Sequence, residues 1–207
     1  MNKFNLVIVD LQYDFYDSCG SMTVPGACNL PEKIGKFIEE HKDEINRVIF
    51  TLDWHYPSHS SFEENGGKWP THCVQYTKGA SLPSELVNKI SNLGLHIQFI
   101  EKAHYEEEYG AFENIQYRWN KYDIESSNYY RLFNRFDDSC IAISAPDKRM
   151  DFVVCGLCGD YCVMETMKNL MKEPNFTIKA YKEGILSMDN GEKFDKFIEE
   201  NNIEVVE

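Results

Sequence analysis

Short, almost uniformly apolar runs alternate along this chain with segments of helical periodicity. Apolar runs without a polar face are typical of parallel strands in a sheet that is covered on both faces. Their repeated alternation with helices predicts a doubly wound α/β domain, with three α/β/α layers around a six-stranded, mainly parallel sheet. The predicted strands cover residues 4–10, 47–53, 95–100, 151–156, 176–181 and 203–206, and the predicted helices cover 31–41, 83–92, 161–172 and 191–200.

Composition and charge limit the classes of protein that fit. The 207 residues, 43% hydrophobic and 27% charged, are enough for one sizeable core, so we expect a single domain over residues 1–207. The formal net charge of −13 argues against nucleic acid and anionic membranes as partners, because both need a basic surface. No signal-like segment and no apolar stretch of bilayer length is visible, so we expect a cytoplasmic protein.

The cysteine content favours free thiols in a reducing compartment. Their number is odd and no secretion signal accompanies them, which argues against a disulfide framework. The seven cysteines are Cys19, Cys28, Cys73, Cys140, Cys155, Cys158 and Cys162.

Two segments stand apart from the α/β alternation. Residues 58–79 are rich in His, Gly, Pro and polar residues, which indicates a long functional loop. Residues 117–150 are aromatic and charged, with a candidate helix around 127–136. This insertion is interpreted either as a lid or as a subunit contact in a homo-oligomer.

Polar residues at the carboxyl ends of the predicted strands are candidates for chemistry, because ligands bind there in doubly wound sheets. Asp10 ends the first strand, where its carboxylate can act as a general base, with a turn or N-cap role as the alternative. Asp14 competes for the same role. Lys102 follows the third strand, where its ammonium group can pair with Asp10, unless it is a solvated surface group.

An Asp-x-His pair at the end of the second strand indicates a metal site. Asp53 and His55 lie on one face of an extended backbone, and carboxylate with imidazole suits zinc, manganese or iron. The loop that follows offers His59 and His72 as further ligands. For any single histidine, a hydrogen-bonded or surface imidazole is the alternative.

The segment 151–163 runs from an apolar strand through a small-residue turn to Cys162, near the start of a predicted helix. Peptide N–H groups at a helix N-terminus carry partial positive charge and favour the reactive thiolate, so Cys162 is the candidate nucleophile. A metal or redox cluster of Cys155, Cys158 and Cys162 is the alternative. Cys155 lies inside an apolar strand, which favours a core role for it.

In chain order, these fragments resemble the isochorismatase-like cysteine hydrolase superfamily and, within it, the nicotinamidase (pyrazinamidase/nicotinamidase) family. The matching segments are 9–15, 20–26, 53–62, 66–74, Lys102 with 109–112, and 156–163. The Asp-x-His metal loop is what separates nicotinamidases from many other members of the superfamily. The resemblance therefore implies an amidohydrolase of NAD salvage that converts nicotinamide to nicotinate and ammonia.

The family pattern implies roles for individual residues. It maps a catalytic triad onto Asp10, Lys102 and Cys162, and an oxyanion hole onto the N–H groups of Cys158 and Cys162, after a cis peptide bond before Cys158. It maps the ligands of a divalent metal, zinc in the first place, onto Asp53, His55 and His72, with His59 as an extra or indirect ligand. It maps the lining of the ring pocket onto Phe15, Trp69 and Tyr109.

The chain also departs from the family pattern. Cys158-Gly159 replaces the Ala-Thr that relatives carry before Asp-Tyr-Cys, and the turn after the metal loop is altered at 75–80. Two alternatives stay open on these grounds. One is a cysteine amidohydrolase for another small amide, such as a carbamoyl or ureido compound, and the other is a catalytically silent metal-binding homologue.

Overall fold

The computed structural model contains one six-stranded sheet in which every neighbouring pair of strands is parallel. It describes residues 3–104, 108–113, 129–133, 140–144 and 149–207, with the backbone alone at 129–133 and 140–144. The predicted α/β architecture is therefore confirmed, and the sheet is wholly rather than mainly parallel.

The strands are β1 (Phe4–Val9), β2 (Ile45–Asp53), β3 (Ile97–Lys102), β4 (Tyr129–Phe133), β5 (Cys140–Ser144), β6 (Met150–Gly156), β7 (Phe176–Ile185) and β8 (Glu204–Val206). The six strands of the main sheet correspond to the predicted ones, and β4 and β5 form a separate pair that was not predicted. The α-helices are α1 (Tyr13–Tyr16), α2 (Leu30–Glu40), α3 (Ser84–Asn92), α4 (Met164–Met171) and α5 (Glu192–Glu200), with 3-10 turns at Ala27–Asn29 and Glu63–Asn65.

The strand order of the main sheet is β3-β2-β1-β6-β7-β8. From β1 the chain first adds strands on one side, through β2 and β3, and then on the other side, through β6, β7 and β8. The order therefore reverses between β1 and β6. In open α/β sheets the crevice beyond the carboxyl ends of the strands at such a switch point is where ligands bind.

The core lies on the central strands and under the helices. Residues 6–9 of β1 are fully buried, which explains why this strand has no polar face. Helix α2 buries Ile34, Phe37 and Ile38, a spacing that places them on one face. Phe37 stacks on Tyr181 of β7, with ring centroids 4.1 Å apart, and so fixes α2 to the sheet.

Two expectations about secondary structure need correction. The candidate helix around 127–136 is wrong, because Tyr129–Phe133 is the strand β4, paired antiparallel with β5. Its aromatic residues suit a strand better than a helix. The helix predicted at 161–172 is α4, preceded by a π-helical turn at Gly159–Val163.

Much of the insertion at 117–150 lies outside the described residues, so its role as a lid or subunit contact stays a prediction. Within the described part of the chain, no helix has both the length and the apolar character needed to cross a membrane.

Candidate active site and metal centre

The carboxyl ends of three neighbouring strands bring two carboxylates and an ammonium group together. Asp53 and Lys102 end β2 and β3 and are register partners in the sheet. Asp10 follows β1, whose last residue, Val9, pairs with Gly156 of β6 on the other side. The parallel register thus places these side chains at the switch point between β1 and β6.

Asp10 is held rigidly beneath this crevice. It is fully buried, and its φ of 45° lies in the left-handed region that aspartate tolerates better than most residues. Its Oδ1 accepts a hydrogen bond of 2.7 Å from Thr51 Oγ1, and its Oδ2 lies 2.9 Å from Lys102 Nζ. Burial raises the pKa of Asp10 above its usual value, although Lys102 opposes the shift.

Lys102 is a fully buried cation that lies among Asp10, Asp53 and Cys162. Its Nζ pairs with Asp10, donates a short hydrogen bond to Asp53 Oδ1, and lies 3.8 Å from the sulfur of Cys162. Burial alone would lower the pKa of Lys102, but Asp10 and Asp53 hold it well above the usual value. The surface alternative for Lys102 is therefore excluded, and the contact with Asp53 was not foreseen from the sequence.

The backbone of Asp53 is clamped by a buried side chain, Gln12. The Gln12 amide accepts a hydrogen bond of 2.8 Å from the N–H of Asp53 and donates one of 2.7 Å to its carbonyl oxygen. Burial alone would raise the pKa of Asp53, but Lys102 and then His55 hold it well below the usual value. Asp53 is therefore a carboxylate in a fixed position.

Asp53, His55 and His72 form a convergent set of metal-type donors. The Nε2 atoms of the two histidines are 3.3 Å apart, and they lie 3.5 Å (His55) and 3.8 Å (His72) from Asp53 Oδ2. All three side chains are buried, and their donor atoms lie within 4.8 Å of one another. One carboxylate and two imidazoles match the donors that zinc binds in catalytic sites with an open position.

The hydrogen bonds of the two rings support this interpretation. The Nδ1 of His55 lies 2.6 Å from the carbonyl oxygen of Ala103, and that of His72 lies 2.7 Å from the carbonyl oxygen of Pro70. A carbonyl oxygen can only accept, so each Nδ1 carries a proton and each Nε2 is the ring atom that faces the cluster, where it can serve as a metal ligand. Two ring nitrogens and a carboxylate that face one another are a good fit for a divalent cation.

His59 lies beside this cluster. Its ring centroid is 4.3 Å from that of His55, and its Nδ1 is 2.7 Å from Ser61 Oγ. Among the described residues, the convergent donor set comprises Asp53, His55 and His72. The part of His59 as an additional ligand stays a prediction.

Cys162 lies in the π-helical turn at Gly159–Val163, directly after the switch-point strand β6. Burial raises the pKa of its thiol well above the usual value, although the ammonium group of Lys102 acts in the opposite direction. Burial therefore opposes the effect of the helix N–H groups, which favour the thiolate. Cys162 needs a base, and one carboxylate oxygen of Asp10 lies within 4.8 Å of its sulfur.

The backbone before Cys162 turns sharply. Gly156 has a φ of 115°, and a Cβ there would overlap the backbone of Val9, so only glycine fits. The Leu157–Cys158 peptide bond is cis, as the resemblance implied. Burial raises the pKa of the Cys158 thiol, as it does that of Cys155, which lies in the core.

A pocket lies above these groups, at the switch point where ligands bind in open α/β sheets. Phe15, Trp69 and Tyr109 line it, as the resemblance implied. The Phe15 ring centroid is 5.4 Å from that of His72, and Trp69 Nε1 donates a hydrogen bond of 3.3 Å to Tyr109 Oη. The pocket wall also contains Cys158, Cys162 and the three metal-type residues.

Asp14, the competitor of Asp10, has a different place. Its Oδ1 accepts a hydrogen bond of 3.1 Å from the N–H of Ser21, and its Oδ2 accepts one of 2.8 Å from the N–H of Cys73. Asp14 thus joins two loops and fixes the chain next to His72.

Some residues of the site were not foreseen from the sequence. Thr51 could have been found, because it lies two residues before Asp53 on the same face of β2. The additional pocket residues lie in loops or turns whose course the sequence pattern does not define. They are Met22, Ser61, Ala103, Glu108, Tyr161 and Met188.

The chain resembles curated proteins over part of its length. No protein-family model matches it. It is 28% identical to a nicotinamidase of Saccharomyces cerevisiae over 150 residues, which are 60% of this chain and 67% of that protein. It is 32% identical to a nicotinamidase of Escherichia coli over 92 residues, which are 37% of this chain and 43% of that protein.

Solved structures match almost the whole chain. The yeast nicotinamidase bound to the inhibitor nicotinaldehyde has a TM-score of 0.71 at 22% identity, covering 98% of this chain and 99% of that one. The PnC1 protein of L. infantum in complex with nicotinate has a TM-score of 0.66 at 21% identity, covering 100% of this chain and 93% of that one. The pyrazinamidase of Pyrococcus horikoshii in complex with zinc has a TM-score of 0.64 at 23% identity, covering 99% of both chains.

The structural matches establish the fold, which this chain shares with solved nicotinamidases and pyrazinamidases. The curated homologues of the chain are nicotinamidases.

Proposed function

We propose that this protein hydrolyses nicotinamide to nicotinate and ammonia, through a thioester on Cys162, as a step of NAD salvage. One observation carries the proposal. A cysteine, a buried Asp–Lys pair and a three-residue metal-type cluster meet at a single pocket. Relatives named nicotinamidase, and matching structures that contain nicotinaldehyde or nicotinate, support this choice of substrate.

The first half of the reaction forms the thioester. Asp10 takes the proton of the Cys162 thiol. Burial raises the pKa of Asp10 and so makes it a stronger base than an ordinary carboxylate, and Lys102, 3.8 Å from the sulfur, stabilises the thiolate that forms. The sulfur attacks the carboxamide carbon, and the N–H groups of Cys158 and Cys162 bind the oxyanion. The protonated Asp10 then gives its proton to the leaving nitrogen, and the C–N bond breaks to release ammonia.

The second half hydrolyses the thioester. Asp10 takes a proton from a water molecule, whose oxygen attacks the thioester carbon. The C–S bond breaks, nicotinate is released, and the proton held by Asp10 returns to the sulfur. Lys102 keeps the Asp10 carboxylate in place through both halves, since its Nζ is 2.9 Å from Asp10 Oδ2.

Asp53, His55 and His72 would hold the divalent metal, with zinc as the first expectation and manganese or iron as alternatives. When bound, the metal supplies a Lewis-acidic anchor for the pyridine nitrogen. Phe15 and Trp69 contact the ring on its apolar faces, and together with Tyr109 they exclude water around it.

Ammonia release from nicotinamide tests the proposal. The protein should turn over nicotinamide, Cys162→Ala should lose activity entirely, and Cys28→Ala, which removes an exposed thiol, should match the parent protein. A panel of carbamoyl and ureido compounds runs in parallel. Turnover of one of these compounds without turnover of nicotinamide would show that the substrate is another small amide. If neither nicotinamide nor any compound of the panel is turned over, the result would favour a catalytically silent metal-binding protein.

A cytoplasmic location and a homo-oligomeric assembly are further proposals from the sequence. Subcellular fractionation would test the first, and sedimentation of the purified protein would test the second.

A further inference from the structure

Glu108 is a wall residue of the pocket that the mechanism above does not use. Its Oε2 accepts a hydrogen bond of 3.1 Å from the N–H of Ala103. Its other carboxylate oxygen, Oε1, is buried and has no hydrogen-bond partner among the residues that the structure describes. Buried acceptors are nearly always paired in native structures, so this atom calls for a donor that binds in the pocket.

The backbone places Glu108 beside the reacting groups. Its carbonyl oxygen lies 3.4 Å from Lys102 Nζ, which itself is 3.8 Å from the sulfur of Cys162. Its partner Ala103 also accepts the Nδ1–H of His55. Glu108 therefore contacts the lysine beside the nucleophile and the backbone that holds His55, and it lines the same pocket as both groups, where the carboxamide end of a substrate would meet the wall.

We propose that Glu108 is a specificity-determining residue, whose Oε1 accepts a hydrogen bond from the N–H₂ group of a primary carboxamide and disfavours a carboxylate in the same place. The substrate of the proposed reaction has the N–H₂ donor, whereas its acid product presents only acceptors. Glu108 would thus favour binding of the amide and release of the acid. This role depends on the proposed function, because it requires that the pocket binds a carboxamide.

Glu108→Gln reverses the polarity of the unpaired atom with almost no change in shape. The N–H of Ala103 requires an acceptor, so the glutamine oxygen takes the place of Oε2 and the glutamine N–H₂ faces the pocket. We expect the dissociation constant of nicotinamide to rise about tenfold and that of nicotinate to fall about tenfold, since each change exchanges a favourable polar contact for an unfavourable one. Glu108→Ala removes the acceptor without adding a donor, so its two dissociation constants should lie between those of the parent protein and those of Glu108→Gln.

Calorimetry with nicotinamide and nicotinate measures these constants in zinc-loaded protein. Nicotinamide titrations use the Cys162→Ala background so that no turnover occurs. Glu101→Gln is the matched control, because it makes the same charge change at a side chain of β3 that is 38% exposed and pairs with His104. An unchanged ratio of the two constants in both Glu108 variants would overturn the role of Glu108.

The kinetics separate this proposal from the proposed function. If the parent protein does not release ammonia from nicotinamide, the proposed function fails, whereas the amide-to-acid binding ratio still reports on Glu108. In a protein that turns over nicotinamide, Glu108→Gln should raise KM and strengthen inhibition by nicotinate. An increase in KM without stronger inhibition by nicotinate would indicate only a structural role for Glu108 and would also overturn the proposal.

Discussion

Replacing Lys102 by methionine should be among the most damaging single changes in the central sheet. The Lys102 side chain is 0% exposed, and so is that of its partner Asp10. Lys102→Met keeps much of the length of the side chain but leaves two buried carboxylates, Asp10 and Asp53, without their shared cation. Breaking a buried ion pair by removing one partner costs about 3–5 kcal/mol.

Two further variants isolate the charge from the packing. Asp10→Asn combined with Lys102→Met removes the charge of one of the stranded carboxylates, so we expect it to recover at least about half of the lost stability. Lys179→Met breaks a Lys–Glu pair whose side chains are 29% and 61% exposed, and it should cost no more than about 1 kcal/mol. Neither variant that lacks Lys102 should release ammonia, because the single variant no longer holds Asp10 in place and the double variant lacks the Asp10 carboxylate.

Urea denaturation of the metal-free proteins measures the free energy of unfolding by linear extrapolation. If Lys102→Met lost no more stability than Lys179→Met, the interpretation of Lys102 as a buried, shared counter-ion would be refuted. A double variant less stable than Lys102→Met would refute it as well, since the damage would then come from packing. Should Lys102→Met fail to fold, a folded double variant would still support the charge argument.

Three other perturbations test the metal centre and its supports. Zinc at a thousand times its dissociation constant should raise the free energy of unfolding by about 4 kcal/mol over chelator-treated protein, and thermal melts of His72→Ala should show no such zinc-dependent increase. Gly67→Ala should destabilise the metal loop by about 1–3 kcal/mol, because its Cβ would overlap the backbone of Ser61. The Cβ of Gly35→Ala in α2 meets the flexible Lys89 side chain and makes ordinary contact with Leu86 at 3.5 Å, so this change should be neutral or stabilising in the same melts. Gln12→Ala should cost about 2–3 kcal/mol in urea denaturation and weaken zinc binding in chelator competition, because both backbone groups of Asp53 lose their partner; an unchanged zinc affinity would contradict the clamp.

The sheet could be predicted from the sequence because its central strands β1, β2 and β6 contain nearly continuous apolar runs. The strand ends then follow, and with them the positions of Asp10, Asp53 and Lys102 at one edge. The candidate helix near 127–136 failed because a short apolar segment with aromatic residues suits both a strand and a helix. Its pairing with β5 is a long-range contact that local periodicity does not contain.

The electrostatics of the site were harder to predict than its residues. A cysteine near a helix N-terminus predicts a thiolate, but the pKa of Cys162 depends on burial, which only the packed structure reveals. Glu108 escaped notice for a related reason. It lies in an acidic run, 106–108, where charged residues are most often solvated, and its contact with Ala103 brings it to the pocket instead.

The two oxygens of Asp53 explain why one carboxylate can contact both the catalytic lysine and the histidines of the metal-type cluster. Oδ1 accepts the hydrogen bond of Lys102, and Oδ2 faces the Nε2 atoms of His55 and His72. Any cation held by the two histidines therefore shares Asp53 with the ammonium group that orients Asp10. A change at the metal-type cluster should reach the base through a single side chain, so Asp53→Asn should weaken metal binding and also lower the pKa of Asp10, because a neighbouring negative charge is lost. This coupling is a consequence of the register that places Asp53 opposite Lys102 at the ends of β2 and β3.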